Sequence, residues 1–126
     1  MAPLVVLDPY LLLKLPAELF GHAQVQFAVS DHLLPEEFPA RDHAQIVQAV
    51  TREKVGTLSV RAVDLGDLLS MRNVLAFHQI TSIAAARSHK CLFASDCCVF
   101  RRMAGQILAP TRVLRGADVL QLVGLN

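Results

Sequence analysis

Short apolar runs alternate along the chain with stretches in which apolar residues recur every three or four positions. The first run, L-V-V-L at residues 4–7, is too short for a helix and β-branched at its centre, so it reads as a buried strand. Asp8 ends the run and Pro9 follows, the order of an N-cap and a proline at the first helical position. A short helix over residues 10–14 should stop at Pro16, and one more turn over 17–20 should close at Gly21. Q-V-Q-F-A-V at 24–29 predicts the second strand. Ser30 and Asp31 are then placed to cap a helical segment carrying Leu33, Leu34, Glu36 and Glu37, with Pro35 in its first turn and Pro39 at its end.

Ala44, Val47 and Val50 repeat at helical spacing and predict a helix over 41–52, with Gly56 at its exit. Residues 59–63 alternate weakly, as a short strand or an extended connection would. Leu65, Leu68, Leu69, Leu75 and Ala76 form one stripe and predict a helix over 64–77, with Asp64 and Asp67 at capping-box spacing. After a break, 78–88 continues as a helix whose Ala84-Ala85-Ala86 run allows close packing on a sheet. K-C-L-F-A at 90–94 reads as the third strand. Ser95-Asp96 closes it and opens a helix over 97–104 that should stop at Gly105. The last strand falls at either 106–109 or 112–114, and a final helix covers 117–123. This alternation predicts one α/β domain over residues 1–126, a three-layer α/β/α sandwich with a mainly parallel central sheet. In a parallel sheet Asp8 and Asp96, each following a strand, share the carboxyl edge where ligands bind.

Composition narrows the possible partners. The net charge is +1, so contact with nucleic acid would need a local patch rather than an overall field. Hydrophobic residues make up 53% and charged residues 18%, an apolar balance that predicts some surface buried against a second copy or a partner. With no Trp and one Tyr, no aromatic platform for stacking bases is evident. No run approaches the roughly 20 apolar residues of a membrane span. The apolar start also lacks a basic leader, so a cytoplasmic protein without a membrane partner is expected. Cys91, Cys97 and Cys98, odd in number and with an adjacent pair, read as reduced thiols rather than a disulfide framework or a zinc site.

Each acid also has a purely structural reading. Asp8 and Asp96 both precede helices as N-caps do, and Glu36 and Glu37 suit a first helical turn. Gathered in one crevice, such carboxylates would repel unless a divalent cation neutralised them. Hard ions such as Mg²⁺ or Mn²⁺, which prefer oxygen ligands, would serve.

The opening V-V-L-D-P-Y-L-L-L, the segment A-V-S-D-H-L-L-P-E-E and the late H-Q-I-T-S-I-A-A-A-R-S-H-K-C-L-F-A-S-D together resemble the PIN domain family, over nearly the whole chain. The resemblance implies a metal-dependent endoribonuclease with Asp8, Glu36 and Asp96 holding Mg²⁺ or Mn²⁺. The spacing from Ser30 favours Glu36 over Glu37. It also implies RNA as substrate and a dimer, and many small bacterial members of that family are toxins paired with an antitoxin. Three departures stand out. His78, or Gln79 with a shift of one, occupies the place of the family's third acid. Cys98 stands where some members carry a further acid, and Pro9-Tyr10 follows Asp8 where Thr-Asn is common. His78 could assist as a neutral ligand or a proton shuttle, or be an ordinary histidine at a helix start. The alternative reading is a PIN-like domain that has lost catalysis and acts by binding protein or RNA, or by self-association. Arg101, Arg102, Arg112 and Arg115 could contact phosphate, or simply form a solvated face.

Overall fold

The first strand, β1 (Leu4–Leu7), has Val5, Val6 and Leu7 completely buried. A strand covered on both faces has no polar side, which is why its sequence is a continuous apolar run. The computed structural model describes residues 3–22 and 24–124. In it β1 is the centre of a five-stranded sheet with β2 (Gln26–Ser30), β3 (Gly56–Leu58), β4 (Leu92–Ala94) and β5 (Val113–Leu114). The strand order is β3-β2-β1-β4-β5 and every pairing is parallel. Val5 lies opposite Phe27 on β2 and Leu92 on β4.

Among the described residues there are six α-helices: α1 (Pro9–Lys14), α2 (Ala40–Arg52), α3 (Ala62–Leu68), α4 (Phe77–Ser88) and α5 (Cys98–Ile107) lie in the crossovers, and α6 (Gly116–Leu122) follows the last strand. Side chains alternate across a strand, and the core divides accordingly. Val5 and Leu7 pack with Leu11, Leu12, Ala49 and Val119 from α1, α2 and α6. Val6 and Phe93 pack with Leu68, Ile80, Ile83 and Phe100 from α3, α4 and α5. The result is the three-layer α/β/α sandwich, with a wholly parallel sheet. No helix among the described residues is long and apolar enough to cross a membrane.

Several boundaries differ from the sequence pattern. Residues 33–37 form no α-helix. Between Pro35 and Pro39, each lacking an N–H, only a 3₁₀ turn over Pro35–Glu37 fits. A strand that the pattern did not predict lies at Gly56–Leu58, and of the two readings of 59–63 the extended connection holds for 59–61, with α3 beginning at Ala62. The stripe over 64–77 is not one helix. It tightens after Leu68 into a 3₁₀ turn (Leu69–Asn73) that ends before α4, while Leu75 still reaches the core. Asp64 does not cap α3. It is buried inside the helix and holds the end of α4 through Arg87 at 3.0 Å and Ser88 at 2.7 Å. Gly105 does not stop α5, which runs on to Ile107, and of the two last-strand alternatives the later is realised at Val113–Leu114.

Candidate functional site

From β1 the chain winds to β2 and β3 on one side, then returns to place β4 and β5 on the other. The winding direction therefore reverses between β1 and β4, and a crevice opens outside the carboxyl ends of strands at such a point. The residue leaving β1 is tied to the end of β4, and the residue leaving β4 to the end of β5. The Asp8 N–H donates to the Ala94 carbonyl at 2.9 Å, and the Ser95 N–H to the Leu114 carbonyl at 3.0 Å. A cleft of about 340 Å³ lies there, lined among others by Asp8, Tyr10, Lys14, His78, Asp96 and Cys97.

Asp8 is buried at its base. Its Oδ2 accepts from the Ser95 hydroxyl at 2.8 Å and its Oδ1 from the Tyr10 N–H at 3.1 Å. It is thus both the N-cap of α1 and a wall of the cleft. Burial pushes its carboxyl above the ordinary aspartate range. The Ser95 and Tyr10 hydrogen bonds, then the charges of His78 and Lys14, offset that only in part.

Asp96 is exposed and does not cap α5. The Cys97 N–H donates instead to the Ser95 hydroxyl at 3.1 Å. Asp96 Oδ1 accepts from the Gly116 N–H at 2.7 Å, which ties the end of β4 to the start of α6. A Cβ on Gly116 would stand 3.0 Å from that oxygen and 3.1 Å from the Leu11 side chain, so a larger residue here would have to push one of them aside by a few tenths of an ångström.

Helix α4 begins at the same cleft without a capping side chain of its own, since its N-cap is Ala76. Two other residues supply the missing acceptors. The Ala76 N–H donates to Gln79 Oε1 at 2.9 Å. The His78 N–H donates to Glu37 Oε2 at 2.6 Å, and the same oxygen lies 3.0 Å from His78 Nδ1. This pair packs under Phe38, whose ring centre is 4.6 Å from that of His78. With a carboxylate beside it, His78 Nδ1 carries its hydrogen toward Glu37, an assignment made from the hydrogen bond.

Of the residues singled out by sequence, Asp8, His78 and Asp96 meet in one cleft, and Glu36 does not line it. Glu36 is exposed, whereas Glu37 turns inward to α4. The sequence pattern set Glu37 second to Glu36 and gave Ser95 and Lys14 no role at the site. Of the last two only Ser95 carried a signal, as a hydroxyl between the strand and Asp96.

The donor set bears on whether a divalent cation suits this cleft. Two carboxylates, one imidazole and the Lys14 ammonium line it. Among the described residues no three of His, Cys, Asp and Glu converge on a point where they could hold a metal ion. The third carboxylate within reach of α4, Glu37, is spent on His78. The residues present therefore do not fit a Mg²⁺ or Mn²⁺ held by three carboxylates. Comparison with known protein families, curated proteins and solved structures finds no match to this chain.

Proposed function

We propose that this chain is a PIN-like domain that has lost catalysis and acts by binding. The observation that carries this reading is the pairing of Glu37 with His78 at the start of α4. An imidazole stands where the resemblance places an acid, and Glu37 is both its partner and an acceptor at the start of its helix. Lys14 adds a positive charge to the same cleft, which disfavours a cation there. Unpaired thiols at Cys91, Cys97 and Cys98 suit a reducing compartment such as the cytoplasm.

A second reading, the metal-dependent endoribonuclease with a toxin's antitoxin and dimeric state, draws on a different observation. Asp8 and Asp96 line one cleft at the carboxyl edge of adjacent strands. Incubation of single-stranded RNA with the protein and millimolar Mn²⁺ separates the two. The binding reading expects intact RNA at high protein concentration. Manganese-dependent cleavage that disappears in both Asp8→Asn and Asp96→Asn would establish the nuclease instead.

A further inference from the structure

The arginines late in the chain divide into two groups. Arg112 turns inward, its Nη2 donating to the carbonyls of Cys91 at 2.8 Å and Ala86 at 3.2 Å. Arg115 is held by Asp118 at 3.4 Å. Arg101 and Arg102 are not consumed in this way. Arg101 Nη1 donates to the Ser95 carbonyl at 3.1 Å, which fixes the guanidinium and leaves most of its five donors free. Arg102 is exposed, and among the described residues neither arginine forms an ion pair.

Both line an open pocket of about 440 Å³ on the flank of α5, together with Cys98, Gln106, Pro110 and Val113. No carboxylate lines it. Asp118, the acid close enough to sense Arg101, is already engaged by Arg115. Two guanidinium groups without a counter-charge, one of them anchored, form a focus of positive potential on a chain of net charge only +1.

We propose that this pocket is a phosphate-ester site. Arg101 and Arg102 form the anion-binding pair and Gln106 is a neutral donor beside them. Guanidinium forks match the geometry of phosphate oxygens. The pocket has no aromatic side chain, so it grips the phosphate and leaves any base unstacked. The Ser95 carbonyl that anchors Arg101 adjoins Asp96, so the site lies beside the cleft at the β1/β4 edge. The inference deepens the binding reading above and rests on it for the nature of the partner. The phosphate ester is either a small monoester or the backbone of a single strand.

The test is fluorescence anisotropy of a short labelled single-stranded RNA with the full chain in EDTA, over a range of salt. Inorganic phosphate and AMP serve as competitors. Arg102→Gln, an exposed change that leaves the fold alone, should weaken binding about 3-fold, and Arg101→Gln/Arg102→Gln about 10-fold or more. The slope of log affinity against log salt should fall by about 1.4 in the double variant, at about 0.7 per lost phosphate contact. Displacement by AMP at similar concentration identifies a monoester site, and salt-steep binding that AMP does not relieve identifies a strand. Either supports the proposal. It is overturned if both variants match the wild type in affinity and slope, or if the wild type binds none of the three probes. Cleavage of the same RNA after Mn²⁺ is added would count against the non-catalytic reading alone, because the phosphate site is judged on binding in EDTA.

Discussion

Asp8 carries a cost that its hydrogen bonds do not cancel. Buried at the base of the cleft, it is held by the Ser95 hydroxyl and the Tyr10 N–H, yet its carboxyl is still pushed upward by desolvation. A carboxyl whose folded value exceeds its unfolded one binds a proton more tightly in the fold. Stability then falls as pH rises between the two values and stays lower above them. Asparagine at this position cannot ionise, and Ser95 can reverse its hydrogen bond to suit the new amide. Asp8→Asn should therefore be more stable than wild type at pH 7, with the gain shrinking as pH falls through the raised folded value and gone below the ordinary aspartate value of about 3.9. Urea denaturation at neutral and acidic pH checks this. An equal or lower midpoint for the variant at pH 7 would show that the carboxylate is held without strain. A residue that destabilises its own fold while facing a cleft is a candidate for a role in binding. Asp96 is different, because its oxygen is fixed by the Gly116 N–H, at a position where a Cβ would crowd it at 3.0 Å.

At the scale of elements, the start of α4 is where local and distant sequence meet. The helix has Ala76 at its N-cap, and Glu37 supplies an acceptor from 41 residues away. Loss of a helix-capping acceptor costs about 0.5–2 kcal/mol. Glu37→Ala should lower unfolding stability by about that amount, and Glu37→Gln, which keeps an acceptor for the His78 N–H, by less. Chemical denaturation of both variants measures the difference, and equal losses would mean that charge rather than the cap dominates. This contact also marks the limit of what the sequence reveals. Asp8 and Asp96 were legible because each closes an apolar run, Asp8 at once and Asp96 after Ser95, and the parallel alternation of strands and helices brings such ends to one edge. The choice between Glu36 and Glu37 was not legible. It depends on Pro35 and Pro39 reducing the expected helix to one turn, and on which glutamate that turn directs toward α4. The stripe over 64–77 misled for a related reason. Helical spacing shows which residues are buried, not whether they are buried from one continuous helix, and Leu75 reaches the core from beyond the 3₁₀ turn.

For the molecule as a whole, the apolar surplus has an internal destination. Helix α4 buries eight of its twelve residues, polar Thr81 and Ser82 included, so it needs small or apolar side chains nearly all round. Central strand β1 makes the same demand on both faces. Much of the composition that suggested an interface is thus consumed by two cores on opposite faces of one sheet. The strand order fixes one crevice at the β1/β4 edge, and the side chains there decide its use. Two carboxylates, a lysine and a histidine tied to Glu37 favour a cleft that binds without cutting. The most direct measurement is calorimetric titration of Mn²⁺ into wild type and His78→Asp. The account predicts no saturable heat for wild type at millimolar Mn²⁺, and saturable binding once an acid stands at position 78. Saturable binding to wild type that Asp8→Asn abolishes would contradict it.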